Sequence, residues 1–210
     1  SAVVDAYKRE KVDVALDPAV YLGWRSGVPT IAWIPDFQHR HLPQMFSRAA
    51  WWKRDLGFRA QIASCSSVML SSADAERDCL QFYPSSKDRT GVARFAVSVN
   101  DWPDAETAWA RLRQEGIPED YVFLPNQLWR HKNHSLAIEA ASLLAQQGSP
   151  RVILATGHGY DPRYPGYPDV LKAQIATSGA ERHFKFLGSV DHSLVQALII
   201  CANGLLNPSL

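Results

Sequence analysis

The chain has 210 residues, 46% of them apolar, 20% charged and 10% aromatic, which is the profile of a folded globular protein and excludes a disordered one. Its 22 basic and 21 acidic residues leave a net charge of +1, so no long-range field draws it to nucleic acid or to an anionic bilayer. Cys65, Cys79 and Cys201 stand far apart with no C-x-x-C spacing and read as reduced core thiols of a cytosolic protein, while the longest apolar run, "ALIICA" with its flanks, is well short of the roughly 20 residues of a membrane span.

The opening stretch "SAVVDAYKREKVDVALD" shows helical spacing running straight into a strand, with no signal segment. Strands are expected at 12–17, 28–34 and 66–72, where β-branched and apolar residues cluster between turn signals. A helix is expected over 43–63, because Met45, Phe46, Ala49, Trp52, Leu56 and Ala60 recur at three- and four-residue spacing behind Pro43. A second is expected over 72–82, with Ser72 as N-cap and Asp74 and Glu76 in its first turn. "VARFAVSV" (92–99) reads as a strand, and the charged stretch 100–120, with two prolines around a short helix, has the texture of a connection between domains.

Beyond it, strands at 121–125, 151–157, 183–190 and 204–210 alternate with helices at 135–148, 169–179 and 193–202, which predicts a doubly wound parallel sheet. Ligands of such sheets bind outside the carboxyl ends of the strands, which singles out the loops "NQLWRHKNH", "GHGYDPRYPGY" and "GSVDH". At the helix start Asn133, His134 and Ser135 form an anion seat to which Lys132 adds a full charge, a pattern suited to a phosphate. Gly157, Gly159 and Gly188 would let backbone approach a ligand closely, although glycines also simply turn chains. His131 with His134, and His39 with His41, lack a third ligand at a diagnostic spacing, which argues against zinc. Of the seven tryptophans, Trp129 is the candidate for stacking a sugar ring, and Trp51 and Trp52 read as core or interface residues.

The succession "WIPDFQHRHLPQMFS", "SSADAERDCLQFYP", "LPNQLWRHKNHSLAIEA", "ATGHGYDPRYPGY", "KFLGSVDHSLVQAL" and "NPSL" resembles the retaining, GT-B-fold glycosyltransferases of family 4 (group 1). The likeness is strongest to a bacterial branch with the block N-Q-[FL]-W-x-H-K-N-H. It implies an α/β chain of two Rossmann-like domains with parallel sheets, present as a fragment truncated at both ends. Residues 1–99 would be the later part of the N-terminal, acceptor-side domain, 100–120 the interdomain connection, and 121–210 the first part of the C-terminal, nucleotide-sugar-binding domain. The family's E-x7-E glutamate pair would begin just after "NPSL".

The resemblance also implies roles. Lys132 falls on the residue that meets the donor diphosphate, and with His39 and Asp36 forms the expected catalytic set; the residue-level alternative is that Asp36 caps a turn and His39 packs. Gln127 stands where the family usually carries an arginine. With Asn133 and His134 it would bind donor, Gly157 and Gly159 would lie beneath the ribose, and Gly188 and Val190 would meet the base. Arg130 is outside the pattern and is expected to face solvent. The implied activity is transfer of a hexose, mannose among the candidates, from a nucleoside-diphosphate sugar to a glycan or lipid-linked saccharide acceptor, with retention and with neither metal nor added cofactor. The implied setting is the cytoplasm, with peripheral contact at the inner face of the membrane. The alternative is a non-catalytic nucleotide-sugar-binding module of the same fold.

Overall fold

Two four-stranded sheets, each parallel throughout, organise the computed structural model, which describes residues 2–17 and 27–210. They lie in two units, Ser1–Val97 and Ser98–Leu210. The first contains α1 (Ala2–Arg9), β1 (Ala15–Asp17), β2 (Thr30–Ile34), α2 (Gln38–His41), α3 (Arg48–Ser64), β3 (Ser67–Leu70), α4 (Ala73–Phe82) and β4 (Thr90–Val92), with strand order β1-β2-β3-β4. Its core joins Ile34, Phe37, Ile62, Val68, Leu70 and Cys79.

Local chemistry sets where these elements start and stop. Pro43 opens only a 3-10 turn, Pro43–Met45; α3 begins at Arg48 because Ser47 is extended and its hydroxyl accepts from Ala50 N at 3.2 Å. Ser72 caps α4 in the same way, at 3.0 Å from Ala75 N. The expected strand over 92–99 is corrected to Thr90–Val92. Its partner β3 ends at Leu70, whose carbonyl accepts a last bond from Ala93 N at 2.8 Å, so residues further on find no ladder. Phe95, Val97 and Val99 are consequently exposed.

A buried carboxylate ties the helices of this unit together. Asp55 on α3 is fully buried. Its Oδ1 accepts from Arg40 at 2.5 Å and from the Tyr83 hydroxyl at 2.6 Å, and its Oδ2 from Arg59 at 2.9 Å. Burial pushes the Asp55 carboxyl up, but the hydroxyl and the two guanidinium groups outweigh it and bring it down to about 2. The Arg40 guanidinium also lies over the rings of Trp51 at 4.9 Å and Tyr83 at 5.5 Å.

The second unit contains α5 (Ala105–Gln114), β5 (Tyr121–Pro125), α6 (His134–Gln146), β6 (Val152–Thr156), α7 (Tyr167–Ser178), β7 (Phe184–Phe186), α8 (His192–Cys201) and β8 (Gly204–Leu205), in sheet order β7-β6-β5-β8. Both faces are covered, as the unbroken apolar run of β6 requires. Leu124, Ile138, Ile153 and Leu171 form one core, and Leu112, Tyr121, Phe123, Leu154 and Leu198 the other. The latter includes α5, so the helix inside 100–120 is part of this unit.

Helix α6 ends in a two-bond cap in which Ser149 N donates to Leu144 O at 3.0 Å and Gly148 N to Ala145 O at 3.1 Å, with Gly148 at φ 66°. Two expected strands shorten. The one over 183–190 stops at Phe186 as Gly188 turns at φ 77°. The one over 204–210 stops at Leu205, because after Leu206 N bonds Phe123 O at 2.8 Å the chain swings away through Pro208. Cys65 and Cys79 are buried and Cys201 is only half-buried. Among the described residues no helix is long and apolar enough to cross a membrane.

Removing Asp55 leaves three donors in or near a dry site. Asp55→Ala should therefore destabilise the chain by roughly 3 kcal/mol in denaturant titration, against no more than about 0.5 kcal/mol for the exposed Asp36→Ala. Since the folded Asp55 carboxyl titrates below its unfolded value, its stabilisation is complete above about pH 4 and is lost as the pH falls toward 2. The wild type should show this acid loss and Asp55→Asn should not.

Candidate functional site

At the carboxyl ends of β5, β6, β7 and β8 the connecting loops bond to one another. Leu128 N donates to His158 O at 3.0 Å, Gly157 N to Gly188 O at 2.9 Å, and Leu210 N to His131 O at 2.9 Å. The Asn126 carboxamide reaches Asn207 Oδ1 at 3.3 Å. Gly157 sits at φ 142°, and a Cβ there would lie 2.6 Å from Asn126 O and 2.8 Å from Gln127 Cα. The loops after β5 and β6 thus pack backbone against backbone, an approach open only to glycine.

Residues Arg130–Lys132 form a 3-10 turn, and Asn133 follows in the left-handed region at φ 55° and ψ 43°. Asparagine tolerates that conformation, and it launches α6 with no side-chain cap. His134 points inward, fully buried, and its Nε2–H donates to Asn126 O at 3.2 Å. Burial is the main reason that its pKa falls to about 4; Lys132 adds to the fall and the Asn126 carbonyl opposes it. A neutral, enclosed imidazole of this kind braces the Asn126 loop. Lys132 is half-buried, and its ammonium makes no hydrogen bond or ion pair with any described residue. Gln127 is exposed at the same end of β5.

Beside the start of α6 opens a cavity of about 690 Å³, walled by Arg130, Asn133, Ser135, Arg163, Tyr164 and Tyr167 among others. Arg163 is committed: it grips Asp161 through Nε–Oδ1 at 2.9 Å and Nη2–Oδ2 at 3.0 Å and lies over Trp129 at 5.3 Å. Asp161 is only 1% exposed; burial raises its pKa, and the Arg163 bonds bring it below the usual carboxylate range. Arg130 lies over the Tyr164 ring at 5.0 Å. Sequence reasoning passed over Asp161, Arg163 and Tyr164. The available signal was the turn former Asp161 two residues before an arginine, since Arg163 N also bonds Asp161 Oδ1 at 3.0 Å.

The other expected site residues are placed as follows. Gly188 supplies the carbonyl that Gly157 meets, Gly159 is half-buried, and Val190 packs on the core between α5 and α8. In the first unit Asp36 is exposed and its Oδ1 accepts from Gln38 N at 3.0 Å and Arg54 Nη2 at 2.8 Å, a turn cap held by an ion pair. His39 is fully buried among Phe46, Trp51 and Phe58. The Tyr83 hydroxyl gives its proton to Asp55, so His39 Nε2–H donates to that oxygen at 3.2 Å. His39 has no surface to offer a substrate, and burial lowers its pKa. His41 pairs with Asp78 at 2.7 Å. Among the described residues no three His, Cys, Asp or Glu side chains converge as metal ligands.

No protein-family model and no curated protein sequence matches the chain. Solved structures do. HepE from Anabaena, in complex with UDP and glucose, superposes with a TM-score of 0.78 at 16% identity over 99% of this chain and 55% of its own. A glycosyltransferase from Rickettsia africae gives 0.70 at 14%, covering 99% and 54%. Sucrose-phosphate synthase from Thermosynechococcus elongatus gives 0.70 at 17%, also covering 99% and 54%. The chain therefore spans about half the length of the structures it matches. Its fold is α/β, with the Rossmann-like parallel sheets of GT-B glycosyltransferases.

The contact at Gly157 yields a matched pair of variants. Gly157→Ala should cost at least about 2 kcal/mol of stability, since backbone atoms of Asn126 and Gln127 must move. Gly159→Ala, whose Cβ would meet only Leu128 Cδ1 at 3.9 Å, should stay within about 1 kcal/mol by the same denaturant measurement.

Proposed function

We propose that these residues belong to a retaining glycosyltransferase that moves a hexose from a nucleoside-diphosphate sugar to a glycan or lipid-linked saccharide. The observation that carries the reading is the uncommitted charge at the mouth of α6. Among the described residues Lys132 has no anionic partner, and the helix behind it starts without a capping side chain at the carboxyl end of a parallel strand. The likeness in fold to HepE, whose structure holds UDP and glucose, supports it.

The chemistry follows from that charge. When the bond between the anomeric carbon and the diphosphate breaks, negative charge grows on the departing phosphate oxygen. A fixed ammonium and helix N–H groups lower the energy of that charge without a proton transfer and without a metal. Gln127 offers carboxamide hydrogens where a guanidinium would otherwise stand. The turns at Gly159 and Gly188, where a Cβ would meet at most Leu128 Cδ1 at 3.9 Å, leave room for the ribose and base. The cytoplasmic setting and peripheral membrane contact belong to the same proposal.

One observation favours the second reading, a non-catalytic binding module of the same fold. His39 is sealed beneath Tyr83 and Asp36 is engaged by Arg54, so neither expected catalytic side chain of the first unit is free to act. Turnover of a nucleotide sugar by an active preparation decides for the enzyme, and tight nucleotide binding with no turnover decides for the module.

Lys132→Ala should weaken nucleoside diphosphate binding at least tenfold by calorimetry, because a charge-assisted contact worth roughly 1.5–3 kcal/mol disappears. The circular dichroism spectrum should not change. An unaltered affinity removes Lys132 from the site. Because lysine and helix supply the positive charge, turnover should also persist in excess chelator; activity lost to chelator and restored by Mg²⁺ or Mn²⁺ would reject the metal-independent mechanism.

A further inference from the structure

Helix α3 has two apolar sides. Trp51, Asp55, Phe58 and Ile62 turn inward, against His39, Tyr83 and the core. At about 3.6 residues per turn, Ala49, Trp52, Leu56 and Ala63 fall on one narrow outer stripe, and all four are exposed. The two large side chains of the stripe keep more than half of their surface, Trp52 being 55% exposed and Leu56 57%. The indole is also held in place, because the Trp51 ring meets it edge-on with centroids 4.9 Å apart.

Charge completes the pattern. Arg48 and Arg59 border the stripe on one side and Lys53 on the other, and all three are exposed. The one acid of the helix, Asp55, is fully buried. Among the described helices of eight residues or more, α3 alone combines exposed Lys or Arg with no exposed Asp or Glu. A tryptophan-bearing apolar stripe walled by cations matches a surface that is negative at its rim and apolar just beneath. A second copy of the chain fits it poorly, since twofold packing of this face on itself would set the same cations against one another with no acid between them. The net charge of +1 gives no long-range pull, so the contact acts at short range: the stripe inserts, and the three cations work within a Debye length of about 10 Å.

We propose that the outer face of α3 docks the chain on an anionic lipid surface. Trp52 and Leu56 enter the boundary between headgroups and acyl chains, and Arg48, Lys53 and Arg59 lie over the lipid phosphates. The inference gives the peripheral contact of the proposed function a named surface; it rests on that reading for its setting and on α3 for its evidence.

Vesicle sedimentation with the 210-residue chain, in the absence of nucleotide, tests it. Vesicles of two parts phosphatidylcholine to one part phosphatidylglycerol should carry the chain down, and phosphatidylcholine alone should bind it at least tenfold more weakly. Trp52→Ser with Leu56→Ser should lower the partition coefficient at least tenfold, as should Arg48→Glu with Lys53→Glu. Arg59 is left in place because it also serves Asp55. Leu143→Ser removes an equally exposed leucine from α6 and should stay within twofold of wild type. Every altered side chain is exposed, so each variant should keep the wild-type circular dichroism spectrum. Absence of sedimentation with the anionic vesicles overturns the proposal. So does partition that survives the loss of Trp52 and Leu56, which is adsorption by charge alone, or a loss in Leu143→Ser as large as theirs. A chain that ignores vesicles but dimerises in light scattering, and becomes monomeric in Trp52→Ser, has its own copy on this face, which also overturns it. Because no nucleotide is present, failure here leaves the Lys132 seat standing, and an unaltered nucleotide affinity in Lys132→Ala leaves the α3 face standing.

Discussion

Two backbones touch at Gly157, and what the second sheet presents at its carboxyl edge depends on that contact. The carbonyl of Asn126 is held from two directions. Gly157 approaches it so closely that no Cβ fits, and the buried imidazole of His134 donates to it from the first turn of α6. The loop that carries Gln127, Arg130 and Lys132 is thereby fixed to the strand end and to the helix start together. Under the proposed function, rigid support of this kind holds Lys132 in place for the growing charge it would stabilise. His134 suits the part because its low pKa keeps it neutral, and a second positive charge beneath Lys132 would repel it.

The two units handle charge in opposite ways. In the first, Asp55 gathers Arg40, Arg59 and Tyr83, and the rings of Trp51 and Phe82 cover Arg40. Both guanidinium groups bond to the one buried carboxylate, so the cluster specifies packing, and its surplus positive charge lies with the largely exposed Arg59. In the second, Arg163 pairs one to one with Asp161, while among the described residues Lys132 and Arg130 pair with no acid. An unmatched cation beside a cavity is solvated at a cost when the site dries, and an anion removes that cost. This difference in internal matching, more than the kinds of residue present, separates a structural cluster from a binding surface.

Sequence pattern revealed most of this architecture and only part of the site. Apolar runs such as 152–156 and caps such as Ser72 and Gly148 act locally, so their effect can be read without knowing the rest of the chain. The residues after Val92 look like a strand by composition, but a strand needs a partner, and the length of β3 is a property of another segment. The start of α3 was expected at Pro43 and lies at Arg48, because the hydrogen bond that sets it, from Ala50 N to the Ser47 hydroxyl, exists only in the folded turn. The position of Lys132 directly before α6 was legible, because chain order alone sets it. His39 and His134 were not, since histidine in a polar motif reads alike whether it faces solvent or a core. Asp161 and Arg163 escaped because their pairing exists only once the loop after β6 has folded.

Gln127 sharpens the charge argument. Under the proposed function the leaving group carries about two negative charges, and the residues at the strand end offer one full charge from Lys132 and about half a charge from the α6 terminus. Arg130 lines the neighbouring cavity and Arg163 is spent on Asp161, so neither replaces the guanidinium that Gln127 lacks. A carboxamide stabilises the diphosphate by hydrogen bonding alone, roughly half the strength of a charge-assisted bond. A site built this way holds a nucleoside diphosphate less firmly than one with two cations. Since much of the missing charge would act on ground state and product alike, the weaker hold favours release of the spent nucleotide as well as costing affinity for the donor.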